Sequence, residues 1–406
     1  MANFNDTEWG KINDTLTQCL ATEREPFGLP ERRDKSVLLG TFNIREFGTV
    51  DGRTPQAWDF LKLICDRLDL VAIQEVQDNL DGIRHLRQRL GDDYGLVVSD
   101  TTGKTPGSPS GSAERLAFLF RWARIRRTEL ASDISYDRTS VVETLFENRQ
   151  AFNQSWTDYQ NKLDRWAAEN ERRKAAGKRA LPKPGNILPR FLTFIRQPHC
   201  ASFEVVPHNE NAKPYEFLIV NAHLLYGEDK RERRWEFDAL IEWLTMRAKM
   251  RDAASYENII MMGDCNLEFE DVDVTREQMD AWLKTINSTK LAVKQAAKVN
   301  FPLLDPHPTR GLIRTNARQD QTYDQIAIFA HDKRLPDYKA NETAGSQPDS
   351  YDYGAFQFTD LFARALFGAP GLGVLKEKDQ KWIIQRTEWD ISDHMPAWFR
   401  LPVPGV

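Results

Sequence analysis

Short apolar runs alternate along the chain with longer stretches in which apolar residues recur at helical spacing. The runs at 70–73 and 259–262 are bounded by polar or turn-forming residues, which is typical of buried strands. Ahead of the second run, Phe237, Leu240 and Leu244 form the apolar stripe of an amphipathic helix. Strands that alternate with helices in this way predict an α/β fold.

Polar side chains stand beside the predicted strands, and the stretch after 259–262 gives the first example. Gly263 is expected to end that strand and to turn the backbone tightly. Asp264 and Asn266 then follow two residues apart, which places both side chains on one face of an extended chain. Their oxygen atoms suit a hard cation or an attacking water. The pattern Gly-Asp-x-Asn is also common in ordinary turns, so it needs support from the rest of the chain.

The same arrangement recurs at other apolar runs. Each has a polar side chain at or near one end: Asn43 after 36–42, Glu75 after 70–73, His223 after 217–221, Asp324 before 326–329, and Asp393 with His394 before 397–401. Alone, each could be a strand cap, a turn residue or a hydrogen-bonded core histidine. Together they favour a single site, because ligands bind in the crevice at the strand ends of open α/β sheets.

Three segments fall outside this alternation: a polar helical arm at 1–35, and insertions at about 142–190 and 331–388, the latter irregular and punctuated by proline and glycine. In the first insertion, large apolar residues recur at helical spacing: Phe152, Trp156, Tyr159, Leu163 and Trp166. We expect this stripe to pack on the main body, with base stacking as the alternative. The basic end at 172–183 indicates either a solvated helix end or an arm that tracks phosphates.

The composition of the 406 residues fits an ordinary folded protein, with 41% hydrophobic and 28% charged residues. No apolar run approaches the length of a membrane span, and the N-terminus lacks the pattern of a signal peptide. The four cysteines show no close pairing, which predicts free thiols and a cytoplasmic location. The net charge of -5 argues against a passive nucleic-acid coat protein, but not against an enzyme with a local basic patch.

Several motifs then occur in an order typical of one superfamily. They are Thr-Phe-Asn-Ile-Arg-Glu-Phe-Gly at 41–48, Ile-Gln-Glu-Val at 73–76, Glu-Arg-Leu-Ala-Phe-Leu-Phe-Arg at 114–121, Met-Gly-Asp-Cys-Asn at 262–266, Tyr-Asp at 323–324 and Ser-Asp-His at 392–394. The chain resembles the endonuclease/exonuclease/phosphatase superfamily and, within it, the deoxyribonuclease I branch. The resemblance implies a catalytic domain over 36–406 with a four-layer α/β sandwich, in which two packed, mostly antiparallel β-sheets are flanked by helices.

The resemblance also implies a divalent metal site and a bound water. Glu75 would hold Mg²⁺ (with Mn²⁺ or Ca²⁺ as alternatives), and Asn43 beside it would contribute to the metal or phosphate shell. Asp393 would lie near a second metal position. Asp264 would lie close to the metal and orient or deprotonate the attacking water, and Asn266 would hold water and phosphate. Mg²⁺ prefers few carboxylates and several waters, which fits this sparse acidic set.

A second group of roles concerns the two histidines. By the resemblance, His223 and His394 would bind the phosphate and donate to the leaving oxygen. Glu114 would pair with His223, and Asp324 with His394. A carboxylate beside each imidazole raises its pKa and fixes its tautomer, so that it can act as an acid near neutral pH. Arg196 resembles the family arginine that contacts the scissile phosphate.

Two departures from the deoxyribonuclease concern its grip on duplex DNA. Leu116 stands where that enzyme has an aromatic residue that stacks in the minor groove, and Gln77 stands where it has an arginine. The leading hypothesis is a Mg²⁺-dependent nuclease that nicks DNA. The alternative is a phosphatase or phosphodiesterase of the same superfamily that acts on a lipid, an inositol phosphate, a nucleotide or RNA. A catalytically silent scaffold, with a protein partner on the 142–190 helix, is the third hypothesis.

Overall fold

The computed structural model describes residues 3–101, 113–185, 188–226, 230–249, 257–268, 281 and 298–406. The strands are β1 (Ser36–Phe47), β2 (Leu70–Gln77), β3 (Tyr94–Val98), β4 (Glu114–Arg121), β5 (Ile125–Asp133), β6 (His199–Val205), β7 (Tyr215–His223), β8 (Asn258–Asp264), β9 (Lys298–Asn300), β10 (Asp324–Ala330), β11 (Asp352–Ala355) and β12 (Ala397–Pro402). The helices are α1 (Asp6–Thr22), α2 (Pro55–Arg67), α3 (Asp81–Leu90), α4 (Arg138–Glu147), α5 (Arg149–Ala175), α6 (Lys230–Lys249), α7 (Phe358–Phe367) and α8 (Glu377–Asp390).

The strands form two six-stranded sheets, with the orders β11–β12–β1–β2–β4–β3 and β5–β6–β7–β8–β10–β9. Within the described residues, β1–β2 and β7–β8 are parallel pairs and all other neighbouring strands are antiparallel. The sheets pack face to face, with α1, α2, α3, α7 and α8 outside the first and α6 outside the second. The predicted four-layer sandwich is therefore confirmed.

Strand β8 shows how the sequence builds two layers at once. Ile260 and Met262 are buried between the two sheets, whereas Ile259 and Met261 are buried against α6. Successive side chains of a strand point to opposite faces, so an unbroken apolar run suits a strand that is covered on both sides. The prediction that Gly263 ends this strand was wrong, because β8 continues to Asp264. Gly263 has φ of +148°, and a Cβ there would collide with the carbonyl group of Ala222 in β7.

Three other local predictions were wrong. The apolar residues between Arg190 and Arg196 predict a strand, but this stretch is a loop, and the next strand begins at His199. Segment 331–388 is not wholly irregular, since it supplies β11 at the edge of the first sheet and also α7 and α8. The aromatic stripe of α5 does not form core: α5 has no buried residue, and Trp156 is 56% exposed. The residues of that stripe instead contact each other along the surface of α5, as Trp156 and Tyr159 do with their ring centroids 5.8 Å apart.

The N-terminal segment contributes to the main core. Trp9 and Ile12 on α1 are fully buried in the same apolar cluster as the facing sides of the two sheets. The domain boundary at residue 35 nevertheless stays a prediction. The four cysteines are free and buried. No helix in the described part of the chain is long and apolar enough to cross a membrane.

Candidate active site

Three adjacent strands bring three of the predicted site residues into one row. In the parallel pair β7–β8, His223 lies opposite Asp264. In the antiparallel pair β8–β10, Asp324 lies opposite the same Asp264. Residues directly opposite each other on neighbouring strands point to the same face. A histidine and two aspartates far apart in sequence therefore lie side by side where β7, β8 and β10 of the second sheet have their adjacent ends.

His394 lies between the two aspartates of this row. Its Nδ1 is 2.8 Å from Asp324 Oδ2, and its Nε2 is 3.5 Å from Asp264 Oδ2. Burial alone would lower the pKa of His394, but the charges of Asp324 and Asp264 outweigh that effect and raise it well above its ordinary value. The imidazole is therefore held as a cation with Nε2 directed toward Asp264.

His223 approaches the same carboxylate oxygen from the other side. Its Nε2 is 3.7 Å from Asp264 Oδ2, and its Nδ1 is 3.1 Å from Glu114 Oε2. Arg196 grips Glu114 with two nitrogens, Nε to Oε2 and Nη2 to Oε1. Burial raises the pKa of Glu114, but His223 and Arg196 overcome this and hold it at about 2. Glu114 therefore remains an anion behind His223.

Asp264 is fixed by hydrogen bonds to both of its oxygens. The backbone N–H of Asn266 donates to Oδ1 at 2.9 Å, and Asn43 Nδ2 donates to Oδ2 at 3.0 Å. Burial raises the pKa of Asp264, and the positive charges of His394 and His223 reverse this, so the net shift is downward. Asn266 has φ of +50°, and its Nδ2 donates to the carbonyl of Leu224 at 3.0 Å. Asp264 is thus an ionised carboxylate held rigidly between two imidazoles.

Glu75 enters the site through an irregularity in the first sheet. The pairing of β1 with β2 shifts register between Asn43 and Phe47, and Glu75 has φ of +60°. Such irregularities redirect a side chain. Glu75 Oε1 accepts from Asn43 Nδ2 at 3.1 Å, and Oε2 accepts from the N–H of Glu46 at 2.8 Å. Asn43 and Glu75 therefore lie inside strands, whereas the sequence analysis placed them just past strand ends.

The predicted residues converge on one cavity of about 640 Å³, called here the main cavity. Its lining includes Glu75, Glu114, Arg196, His223, Asp264, Asn266, Asp393 and His394. Asn43 and Asp324 are fully buried, and they reach the lining through their bonds to Asp264, Glu75 and His394.

The main cavity also offers oxygen atoms to a metal ion. Among the described residues, no three His, Cys, Asp or Glu side chains are grouped as metal ligands. Mg²⁺, however, is usually bound by one or two carboxylates together with waters and substrate phosphate. Two buried oxygens, Asn43 Oδ1 and Asp393 Oδ1, have no hydrogen-bond partner among the described residues. With Glu75 on the wall, this donor set fits a hard cation.

Several other residues of the site have no role predicted from sequence. Ser392 Oγ donates to the carbonyl of Asn43 at 2.6 Å and accepts from the N–H of His394 at 3.1 Å, so it ties the loop of His394 to β1. Its position directly before Asp393 and His394 in the sequence could have indicated a role for Ser392. Arg45 and Arg318 add positive charge to the lining. Arg45 could have been found by its position two residues after Asn43, whereas Arg318 lies in a loop with no distinguishing pattern.

No protein-family model matches the sequence, and no curated protein matches it. Among solved structures, the chain is similar to an endonuclease/exonuclease/phosphatase family protein from Bacteroides thetaiotaomicron, with 12% identity, 91% of this chain and 95% of that chain covered, and a TM-score of 0.46.

Two further solved structures are similar over comparable lengths. For the human Nocturnin catalytic domain the identity is 13%, the coverage 93% of this chain and 98% of that chain, and the TM-score 0.45. For ANGEL2, a 2',3'-cyclic phosphatase, the identity is 12%, the coverage 90% of this chain and 96% of that chain, and the TM-score 0.45.

Proposed function

We propose that this chain is a metal-dependent phosphodiesterase that nicks DNA. The observation that carries the proposal is the pair of imidazoles whose Nε2 atoms both lie within 3.7 Å of one carboxylate oxygen, Asp264 Oδ2. Each imidazole is backed on Nδ1 by a different carboxylate, Glu114 or Asp324. Such a set offers one base and two oriented N–H donors at a single point, which is what hydrolysis of a phosphodiester requires.

Each residue then has a role that follows from its contacts. Asp264, held as an anion, accepts the proton of the attacking water. His394, held as a cation, donates from Nε2 to the phosphate, where negative charge develops in the transition state. His223 Nε2, which also lies beside Asp264, is assigned to the phosphate or to the leaving oxygen. Arg196, bonded to Glu114, adds positive charge beside His223.

The proposal includes Mg²⁺, with Mn²⁺ or Ca²⁺ able to replace it. Glu75, Asn43 and Asp393 would hold the ion, and Asp264 would lie next to it. When bound there, the ion would neutralise charge on the phosphate. The four buried free thiols support a cytoplasmic location, because disulfides are rare in a reducing compartment.

One observation favours the second candidate, a phosphatase or phosphodiesterase with a smaller or non-DNA substrate. Leu116, at the position where the deoxyribonuclease stacks an aromatic residue in the minor groove, is 1% exposed. It cannot contact a duplex without rearrangement. Arg45, Arg196 and Arg318 on the lining of the main cavity still favour an anionic substrate.

The test uses supercoiled plasmid with Mg²⁺. We expect the wild-type protein to convert it to the open circular form, EDTA to stop the reaction, and Asp264→Asn to abolish it. Asp51→Asn, which makes the same change at an exposed aspartate, should remain active. Intact plasmid together with turnover of bis(p-nitrophenyl) phosphate or an inositol phosphate would replace the DNA assignment by the second candidate. No turnover of any of these substrates would overturn the proposal.

A further inference from the structure

A second and larger cavity adjoins the main cavity. It measures about 820 Å³ and lies between α5, the chain that follows α5, and α6; we call it the flanking cavity. Tyr226 lines both cavities, and Ile195 in the flanking cavity directly precedes Arg196 in the main one. A ligand whose phosphate lies in the main cavity can therefore extend into the flanking cavity without leaving the protein surface.

The lining of the flanking cavity is rich in aromatic and apolar side chains. The ring of Tyr226 is 77% exposed, and Ile195 is 47% exposed. Phe191 and Trp235 are half-buried and complete an apolar wall with Leu225. Aromatic rings at an accessible cavity provide stacking surfaces for planar groups, and base stacking on such rings does not depend on sequence.

The charges of the flanking cavity favour an anion. Its two carboxylates already accept hydrogen bonds from the backbone: Glu232 from Leu188 at 3.1 Å, and Glu236 from Ile195 at 2.6 Å and from Leu225. The three cations of the lining are exposed: Lys162, Lys183 and Arg190. The net effect is an apolar, aromatic wall with a positive rim, which matches stacked bases joined by phosphates.

We propose that the flanking cavity binds the bases of a single-stranded nucleic acid next to the phosphate in the main cavity. This inference rests on the proposed function, since it takes the main cavity to hold a phosphodiester. In a duplex the faces of the bases are covered by the neighbouring base pairs, so only unpaired bases can stack on Tyr226.

The experiment measures binding in EDTA, so that no turnover is needed. A labelled single-stranded oligonucleotide is titrated with the full-length protein and followed by fluorescence anisotropy. The same sequence as a duplex and vesicles of phosphatidylserine with phosphatidylcholine serve as competitors. We expect Tyr226→Ala to weaken single-strand binding by about 10-fold, the loss typical of one stacked base, and Tyr226→Phe to retain it. Arg190→Glu should also weaken binding, with a steeper loss at low salt.

Lys378→Glu reverses a charge at an exposed position on α8 that lines neither cavity, and it should leave binding unchanged. Equal binding of duplex and single strand, or wild-type affinity in Tyr226→Ala, would overturn the inference. Displacement by vesicles that depends on Tyr226 would assign the cavity to a lipid instead. Failure of the proposed function is seen separately, as binding of the single strand without hydrolysis of any phosphodiester in Mg²⁺.

Discussion

Asp264 shares a single oxygen between two imidazoles, and the two contacts are not equivalent. His394 is bonded to the fully buried Asp324, whereas His223 is backed by Glu114, which is itself held by Arg196. A substitution at His223 leaves the pair of His394 and Asp324 intact. It can therefore test the catalytic role of His223 without removing the buried contact between His394 and Asp324.

Changing His223→Ala should reduce the rate of phosphodiester hydrolysis by about 100- to 10,000-fold, which is the range for loss of a general acid or base. The protein should stay folded, because Arg196 still pairs with Glu114 and His394 still lies beside Asp264 after the imidazole is removed. His208→Ala, at an exposed histidine, is the matched control and should keep full activity. Steady-state kinetics together with far-UV circular dichroism check both points. Activity that survives in His223→Ala would contradict the assignment of this residue.

Glu236 predicts a dependence of stability on pH. Burial raises its pKa to about 7, although the backbone N–H groups of Ile195 and Leu225 and the charges of Arg196 and His223 favour its ionised form. An acid whose pKa is raised in the folded state binds more protons there than in the unfolded state. Its contribution to stability is therefore present near pH 4 and lost as the pH rises toward 7, by up to about 3 kcal/mol.

Glu236→Gln should remove this loss. The free energy of unfolding of the mutant, relative to wild type, should increase between pH 5 and about pH 8, even though the amide nitrogen of glutamine cannot accept one of the two N–H groups. Urea unfolding at several pH values measures the difference, and Glu242→Gln, an exposed glutamate on the same helix, is the control. A difference that stays constant with pH would show that Glu236 is ionised throughout.

At the scale of elements, one buried polar chain links the two sheets beside the site. Thr41 on β1 donates to Gln74 on β2, and Gln74 Nε2 donates to Asn221 Oδ1 on β7 at 2.6 Å. Asn221 Nδ2 in turn donates to the carbonyls of Ile73 and Ala117. Thr41, Gln74 and Asn221 lie one or two positions from Asn43, Glu75 and His223. This bridge of three polar side chains therefore fixes how the two sheets face each other beside the site.

Asn221→Ala should destabilise the protein by about 2 to 4 kcal/mol, because it removes the acceptor of Gln74 Nε2 and the side-chain donor to two buried carbonyls. It should also lower activity more than the remaining folded fraction explains, since Glu75 and His223 come from opposite sheets. Denaturant unfolding and kinetics on the same samples separate the two effects. Asn13→Ala, at an exposed position of α1, should change the free energy of unfolding by less than about 0.5 kcal/mol. Unchanged activity per folded molecule would rule out a positioning role for the bridge.

The elements that could be predicted from sequence are those whose apolar runs are covered on both faces. β7, β8 and β10 are of this kind, and the polar residues at their ends led to His223, Asp264 and Asp324. Strand β5 escaped prediction because it is an edge strand with mostly exposed polar side chains. The apolar stretch at 190–196 packs around Phe194 and Tyr136 without pairing to a strand. Its local composition does not distinguish a buried strand from a loop that packs in this way. The bulge that directs Glu75 depends on register between strands, which no local pattern encodes.

For the molecule as a whole, the question is whether the N-terminal arm belongs to the folding unit of the sandwich. Trp9 on α1 lies 5.7 Å from Phe60 on α2 and 5.9 Å from Phe362 on α7, between ring centroids. The N–H of Phe4 donates to Asp390 on α8 at 2.9 Å. Helices from distant parts of the chain thus meet around the arm, and its removal would expose apolar side chains on each of them.

Trp9→Ala should therefore lower the free energy of unfolding by about 3 to 5 kcal/mol, as expected for loss of a large buried aromatic side chain. That is a large share of the stability of a typical domain, and urea unfolding followed by circular dichroism should still show one transition at a lower midpoint. Trp156→Ala removes the same side chain from the exposed face of α5 and should leave the midpoint nearly unchanged. If Trp9→Ala instead produced a separate early transition while the plasmid assay kept its full rate, residues 1–35 would be an independent arm.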